Sequence, residues 1–317
     1  MPMLTYQDIV DARERIAGHV HRTPMLSASR VGAMAGVSLR LKAELLQKTG
    51  SFKVRGALNA IRQLSDAERA RGVIGVSAGN HAQALAWAAR AAGAKCTVVM
   101  PEGASQTKLD ATRGYGAEVI QHAWGSAMFD RARELADERG YVFIHPFDDP
   151  RVVAGAGTTG LEILEDAPDV EAVVVPVGGG GLLSGIAVAV KHRNPAVRVY
   201  GVEPEGAQAL RRSLDAGRVT PIDPPQTIAD GLAAPMTTEL PLWAAQHYVD
   251  DVLVVSDAEI ARAMGALLSS AKLLAEPAGA AGVAALVAGK LPVAPGARVV
   301  CVASGGNVDL ARIKELL

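Results

Sequence analysis

The tightest constraint on the fold comes from three strand-like runs. Each run ends in a turn of small residues and leads into a helical run. The first turn lies near residue 79, the second is a row of four glycines from residue 178, and the third lies near residue 305. The first backbone amides of a helix are unpaired and attract negative charge. The sequence therefore predicts anion-binding positions at the ends of several strands, where open sheets bind ligands.

Strand-like and helical patterns alternate along most of the chain. The strand-like runs are apolar without a period of two, which is typical of parallel strands covered on both faces. They lie at 73–77, 96–100, 141–145, 172–177, 197–202, 252–255 and 299–303, and the clearest helical patterns lie at 7–18, 82–92, 126–139, 182–192 and 257–268. We predict an α/β fold, with Gly93 and Gly140 ending helices and Asp257 capping one.

Composition excludes several classes of partner. The 317 residues are 49% hydrophobic, enough for one large domain or two moderate ones, and the 32 basic and 33 acidic residues form no basic stripe. We therefore expect no nucleic acid or membrane partner. The N-terminal residues lack a secretory pattern, which predicts a cytoplasmic protein. Cys96 and Cys301 lie in apolar runs and are expected to be core thiols.

The first turn, Ser77-Ala78-Gly79-Asn80-His81, stands between a strand-like run and a helical run. Its amides and polar side chains are suited to binding a substrate carboxylate. The alternative is that Asn80 only caps the helix.

The second turn consists of Gly178, Gly179, Gly180 and Gly181, followed by Leu182 at the start of a helical run. Four glycines let the backbone fold closely around a phosphate. The rival interpretation is a nicotinamide dinucleotide site, with Gly179, Gly181 and Gly185 as fingerprint glycines and Glu203 as the ribose-binding acid. The spacing of the third glycine does not match that fingerprint.

Lys53 and Ser304 complete the set of candidate site residues. Lys53 follows Phe52 at the start of a helical run, and Ser304 lies in the third turn. The lysine is either a surface charge or a covalent attachment point. A phosphorylated aldehyde cofactor that is held as an imine requires a reactive amine and a phosphate cradle. It also requires polar partners for its ring, such as an asparagine turn and a serine at strand ends.

These motifs, in order, resemble those of pyridoxal-phosphate enzymes of the tryptophan-synthase-like fold (fold type II), specifically the serine/threonine dehydratase and serine racemase group. The resemblance extends from His21 to Asn307. It implies two open, mostly parallel twisted sheets flanked by helices. Residues 1–68 and 146–317 would form a large cofactor-binding domain, and residues 69–145 a smaller inserted domain that closes over the substrate. It also implies a homodimer or homotetramer.

The same resemblance implies roles for individual residues. Lys53 would carry pyridoxal 5'-phosphate and take the Cα proton, while Ser77, Ala78, Gly79, Asn80 and His81 would bind the substrate. The other cofactor contacts would be Phe52 beside the ring, Asn80 at the ring hydroxyl, Gly178, Gly179, Gly180, Gly181 and Leu182 at the phosphate, Ser304 at the ring nitrogen, and Glu276 nearby.

Two departures from the family pattern narrow the function. Racemases of this group are expected to carry a serine, as the acid opposite the lysine, where this chain has Ala78, so a dehydratase is favoured. Metal-binding members pair the glutamate at Glu203 with a carboxylate six residues later, where this chain has Ala209, so we predict no metal site.

The prediction for function is β-elimination from L-threonine or L-serine, which gives a 2-oxo acid and ammonia. A neutral Ser304 at the ring nitrogen would make the ring a weaker electron sink, which favours prompt elimination. The alternatives are a serine racemase, a 3-hydroxyaspartate dehydratase, an NAD-dependent oxidoreductase, and a non-enzymatic protein that carries the cofactor or senses a ligand.

Overall fold

The computed structural model describes residues 3–77, 79–222 and 224–317. Its strands form two sheets. The larger sheet has the order β1-β2-β10-β7-β8-β9 and the smaller the order β5-β4-β3-β6. The strands are β1 Met25–Ser27, β2 Ser38–Lys42, β3 Val73–Val76, β4 Cys96–Pro101, β5 Glu118–His122, β6 Val142–Phe143, β7 Ala172–Pro176, β8 Arg198–Pro204, β9 Asp251–Val255 and β10 Arg298–Val302.

Helices cover both sheets, and the neighbouring strands of each sheet are parallel except for the antiparallel pair β1 and β2. The helices are α1 Tyr6–Ile16, α2 Ser29–Met34, α3 Lys53–Ile61, α4 Asp66–Arg71, α5 Asn80–Ala91, α6 Gln106–Gly114, α7 Ser126–Arg139, α8 Pro150–Asp166, α9 Gly181–Arg193, α10 Ala209–Ala216, α11 Glu239–Tyr248, α12 Asp257–Ala266, α13 Pro277–Val287 and α14 Leu310–Leu316. The predicted fold class, with two mostly parallel sheets flanked by helices, is confirmed. None of the described helices is long and apolar enough to span a bilayer.

The central strands are buried on both faces, as their uninterrupted apolar sequence indicated. In β7, Val174 packs into a core with α12 and α13, while Val173 and Val175 pack into a second core with α9. Successive side chains of a strand point to opposite faces, so a strand covered on both faces must be apolar throughout. Helices on the two faces therefore hold the sheet rigid and fix where its strands end.

Some local predictions were wrong. The cap of α12 is Ser256, whose side chain accepts a hydrogen bond from the Glu259 amide in a capping box. Asp257 instead accepts hydrogen bonds from the Thr227 hydroxyl and the Ile228 amide. The strands β1, β2 and β5 were not predicted, because they are short or partly exposed. Gly93 and Gly140 do follow helices with positive φ angles of 68° and 66°, which confirms their predicted role.

The strands of the smaller sheet all lie between Val73 and Phe143, inside the segment predicted as a separate domain. The core beneath this sheet also contains Val54, Ala57 and Leu58 of α3, which the prediction assigns to the other domain. The division at residues 69–145 therefore stays a prediction. What the packing does establish is that the helix that begins at Lys53 packs into the smaller sheet's core.

Candidate active site

The three predicted turns meet at one cavity. β7 and β10 are parallel neighbours, so the glycine turn after β7 and Ser304 after β10 lie at the same edge of the larger sheet. The turn after β3 of the smaller sheet faces them. The sequence-predicted residues that line this cavity are Phe52, Lys53, Ser77, Gly79, Asn80, His81, Gly178, Gly179, Gly180, Gly181, Leu182, Glu276 and Ser304. Ala78 lies outside the described residues.

Backbone hydrogen bonds join the lysine segment to the third turn. The Phe52 amide donates to the Ser304 carbonyl at 3.1 Å, and the Gly306 amide donates to the Gly50 carbonyl at 2.9 Å. Ser51 and Gly305 form an antiparallel bridge between these two bonds. The start of α3 and the end of β10 are therefore one rigid unit, although some 250 residues of sequence separate them. Sequence spacing gave no sign of this pairing.

The Lys53 amine points into the cavity and is buried. Its nitrogen donates to the Pro146 carbonyl at 3.1 Å and lies 5.1 Å from the centre of the Phe52 ring. Burial penalises the charged amine and lowers the pKa of Lys53 to about 8. A substantial fraction is neutral near physiological pH, and a neutral amine is a nucleophile and a base. The surface-charge interpretation of Lys53 is therefore wrong.

The four-glycine turn has no space for side chains. A Cβ atom on Gly179 would lie 2.4 Å from the Phe147 ring, and one on Gly180 would lie 2.6 Å from Pro241. Gly180 also has a positive φ of 99° and stands at the N-terminus of α9. Bare backbone amides at a helix start form a cradle for a phosphate group. The donor set of this cavity, an amine opposite such a cradle, fits a phosphorylated aldehyde.

Asn80 is held by two other side chains. Its amide nitrogen donates to the Glu276 carboxyl at 2.6 Å, and its amide oxygen accepts from Asn307 at 2.8 Å. The helix cap is Gly79, so the capping interpretation of Asn80 is wrong. Burial, followed by the nearby Asp230 carboxylate, raises the pKa of Glu276 to about 8. Glu276 is then mostly protonated at neutral pH and adds little charge to the site.

The turn that precedes α5 presents polar groups to the cavity. The Ser77 hydroxyl accepts a hydrogen bond from the Gly79 amide at 3.0 Å. His81 is buried, and burial, followed by the charge of Lys53, lowers its pKa to about 3. The imidazole is therefore neutral and supplies no positive charge. Binding of an anion at this turn therefore depends on backbone N–H donors and on a neighbouring cation.

The features that suggested a nicotinamide site have structural roles. The Glu203 carboxylate accepts hydrogen bonds from the Leu210 and Arg211 amides, both at 2.8 Å, and so holds the start of α10. A Cβ atom on Gly185 would lie 2.6 Å from the backbone nitrogen of Gly157, so this glycine allows α9 to contact α8. Burial raises the pKa of Glu203 to about 7. The two features that favoured an oxidoreductase, Gly185 and Glu203, therefore have structural roles.

Several cavity residues escaped the sequence interpretation. Lys108 of α6 lies against Gly79, since a Cβ atom on that glycine would be 3.6 Å from the lysine nitrogen. Lys108 forms an ion pair with Asp230 across the cavity mouth. Trp124, Met128, Phe129 and Phe147 give the cavity an apolar wall. Lys108, Asp230, Phe147 and the segment that contains Trp124, Met128 and Phe129 lie far apart in the sequence and carry no motif, so only the folded chain brings them together.

Known proteins resemble this chain over most of its length. The family model described as "Pyridoxal-phosphate dependent enzyme" matches residues 16–305. The L-threonine ammonia-lyase of Thermotoga maritima is 47% identical over 99% of this chain and 78% of that protein. The L-threo-3-hydroxyaspartate ammonia-lyase of Saccharomyces cerevisiae is 40% identical, over 99% and 96%. The structure of maize serine racemase has a TM-score of 0.94 and 37% identity, covering 98% of this chain and 96% of that one.

Proposed function

Because the chain belongs to the pyridoxal-phosphate dependent enzyme family, we propose that it is an L-threonine/L-serine ammonia-lyase that attaches its cofactor at Lys53. The observation that carries this proposal is the buried Lys53 amine, which opens onto the same cavity as the four-glycine turn and Ser304. The net reaction converts L-threonine to 2-oxobutanoate and ammonia, with water first lost across Cα and Cβ and then taken up again.

The proposed roles follow from the positions of the side chains. Bound pyridoxal phosphate would supply an aldehyde that captures the substrate amine and a ring that withdraws electrons from Cα. The amides of residues 178–182 would hold its phosphate group, and Phe52 would lie beside its ring. Asn80, which is fixed by Glu276 and Asn307, would bind the ring hydroxyl, and Ser304 would bind the ring nitrogen. Lys53 then takes the proton from the substrate Cα.

Substrate binding is assigned to the turn before α5. The backbone amides near Gly79 and at the start of α5 donate hydrogen bonds to the substrate carboxylate, with the Ser77 and Asn80 side chains beside them. The neutral His81 contributes shape and hydrogen bonding without charge. Apolar side chains such as Met128 and Phe129 line the same cavity and exclude water from the reacting atoms.

A lyase is favoured over a racemase by a single position of the sequence. Racemisation needs an acid on the face of the substrate opposite Lys53, and the family pattern puts a serine there. This chain has Ala78 between Ser77 and Gly79, and a methyl group donates no proton. Relatives named for each activity exist, at 47% identity for the ammonia-lyase and 37% for the racemase, and Ala78 gives a chemical reason for the choice.

The test is turnover by the purified holoenzyme. We expect yellow protein that releases 2-oxobutanoate and ammonia from L-threonine, and a Lys53→Ala variant that folds but releases neither. Protein that stays colourless and inactive after addition of pyridoxal phosphate would rule the proposal out. Protein that binds the cofactor without turning over any hydroxy amino acid would favour the carrier or sensor alternative. Nicotinamide binding that survives Lys53→Ala would favour an oxidoreductase.

The proposal extends to assembly and location. We infer a homodimer or homotetramer, following the family resemblance, and a cytoplasmic location. Support for the location comes from the two cysteines, which are free and buried, as in proteins that keep their thiols reduced. Light scattering of the holoenzyme measures the assembly, and a monomer at micromolar concentration would contradict it.

A further inference from the structure

The charged side chains of the active-site cavity almost cancel one another. Among the described residues that line it, the charged types are Lys53, Lys108, Asp230 and Glu276. Lys53 is the attachment point for the cofactor, and Glu276 is mostly protonated at neutral pH. What is left is one cation and one anion, Lys108 and Asp230, and they are paired with each other.

The Lys108–Asp230 pair stands beside the place where a substrate carboxylate binds. Lys108 extends from α6 and lies against Gly79 of the carboxylate turn, with only 20% of its side chain exposed. Asp230 begins the 3₁₀ turn Asp230–Leu232, whose Gly231 and Leu232 line the same cavity. Asp230 therefore adds a negative charge at the cavity mouth and occupies the cation that an incoming anion would otherwise use.

The other described residues of the cavity offer no free cation to a second carboxylate. The helix start at α5 serves the α-carboxylate, and much of the remaining lining is the apolar wall of Met128, Phe129, Phe147 and Trp124. A methyl group, as in threonine, or a hydrogen atom, as in serine, packs against such a wall without cost. A β-carboxylate would lose its hydration there and meet Asp230, a like charge.

We infer that Asp230 is a specificity-determining residue, which by pairing with Lys108 makes this site select β-hydroxy amino acids with one carboxylate and reject 3-hydroxyaspartate. The inference rests on the proposed ammonia-lyase function. It predicts that L-threonine and L-serine are better substrates than L-threo-3-hydroxyaspartate. It also predicts that removing the Asp230 charge opens the site to the dicarboxylate, because Lys108 then becomes free to bind the β-carboxylate.

The experiment compares four holoenzymes: the natural chain, Asp230→Asn, Lys108→Gln, and the double variant. The measured quantity is kcat/KM for L-threo-3-hydroxyaspartate divided by kcat/KM for L-threonine, followed as 2-oxo acid release. Asp230→Asn should raise this ratio at least about tenfold, since a unit charge a few ångströms from another near a protein surface has an effect of that size. The double variant should lose the gain, since its cation is gone.

Asp169→Asn is the matched control. Asp169 is also half exposed (53%, against 51% for Asp230) and paired with a basic side chain, Arg40, but it does not line the cavity. Its substitution should leave the ratio within about twofold of the natural chain's, because an exposed ion pair contributes about 1 kcal/mol or less.

Binding provides a second measurement for any variant with slow turnover. L-2-Aminobutyrate and L-aspartate lack the β-hydroxyl and bind without eliminating water, so the absorption of the bound cofactor reports a Kd for each. Asp230→Asn should tighten L-aspartate relative to L-2-aminobutyrate, and the double variant should not.

Three results would overturn the inference while leaving the ammonia-lyase proposal intact. The first is a natural chain that turns over L-threonine but prefers 3-hydroxyaspartate. The second is an Asp230→Asn variant with unchanged ratios in both measurements. The third is an increase in the kcat/KM ratio that persists in the double variant, which would show that Lys108 does not bind the β-carboxylate. Absence of threonine turnover by the natural chain would instead contradict the proposed function itself.

Discussion

At the scale of single residues, the site depends on how burial changes the acid–base behaviour of ordinary side chains. No carboxylate among the described residues pairs with Lys53, so desolvation decides its pKa. Glu276 moves in the opposite direction for the same reason. Near pH 7, Lys53 is therefore neutral in part, and Glu276 is mostly neutral. Neither side chain carries the full charge that its residue type would have in water.

The pH dependence of cofactor attachment tests this account of Lys53. The neutral amine is the nucleophile, so the rate at which cofactor-free protein captures pyridoxal phosphate should rise with pH and level off above a midpoint of about 8. Stopped-flow absorbance gives the rate. Lys53→Met, analysed by mass after borohydride reduction, should show no adduct at this position. A midpoint near 10.5, the value of a solvated lysine, would contradict the effect of burial.

Ala78→Ser tests the choice between elimination and racemisation. The added hydroxyl restores a proton donor where the family pattern of racemases has one, so some D-serine should form from L-serine. Chiral chromatography of the reaction mixture measures it. Ser77→Ala serves as a comparison, because it removes a hydroxyl from the same turn and should add no racemisation. Abundant D-serine from the unaltered enzyme would show that Ala78 does not decide the outcome.

At the scale of elements, α3 is held in place by a buried ionic network on its far side. Arg55 donates to Glu44 at 2.8 Å and to Glu162 of α8 at 2.7 Å, and Lys42 of β2 pairs with Glu162 at 2.7 Å. Arg55 is two residues from Lys53 and is almost fully buried. The network therefore connects the helix that begins at Lys53 to Lys42, Glu44 and Glu162 in the larger sheet's layer.

Breaking this network should be costly. Arg55→Met leaves Glu44 buried without its cation and leaves Glu162 with Lys42 alone, which costs about 3–5 kcal/mol of unfolding free energy. Arg113→Met removes an exposed pair with Asp110, whose side chains are 47% and 62% exposed, and should cost less than about 1 kcal/mol. Urea unfolding of the two variants measures both values. Equal costs would mean that the network does not stabilise α3.

The contact between α8 and α9 sets the position of the four-glycine turn, the proposed phosphate cradle. A Cβ atom on Gly185 would lie 2.4 Å from the Val153 carbonyl, so Gly185→Ala must push α9 away. We expect a loss of about 1–3 kcal/mol of stability together with weaker cofactor binding, since Gly181 begins the same helix. Gly114→Ala, at a helical position with open space, should be neutral or slightly stabilising. Equilibrium dialysis of pyridoxal phosphate and thermal unfolding distinguish the two variants.

At the scale of the whole molecule, two sheets with separate cores meet at the cavity and are joined across it by side chains. Asn80 and Lys108 come from elements of the smaller sheet's layer, and their partners Glu276 and Asp230 come from the larger sheet's layer. A substrate that binds between the layers contacts both. This arrangement supports the proposal that residues 69–145 form a domain that closes over the substrate.

Distance measurements between labelled sites test domain closure. Cysteines introduced at the exposed positions Asp137 of α7 and Arg212 of α10 can be spin-labelled selectively, because Cys96 and Cys301 are buried. Adding L-2-aminobutyrate to the holoenzyme should shift the distance between the two labels. The pair Glu14 and Arg212, both in the proposed large domain, should not change. An unchanged distance for the first pair would mean that residues 69–145 do not move as a unit.

The sequence by itself determined the fold class and the candidate residues at the strand ends. Strands covered on both faces must be apolar throughout, and turns at helix starts need small residues. Both features can therefore be predicted from short stretches of sequence, residues 172–181 and 299–306. The strands β1, β2 and β5 and the cap of α12 were missed or misassigned, because short or exposed elements depend on their neighbours.

Only the tertiary structure decided which of these residues meet and in what state of charge. The bonds from Phe52 to Ser304 and from Asn80 to Glu276, and the Lys108–Asp230 pair, join residues more than a hundred positions apart. No local pattern encodes such contacts. The pKa of Lys53 likewise depends on burial by distant elements, because desolvation reflects everything packed around the amine and not its neighbours in the chain.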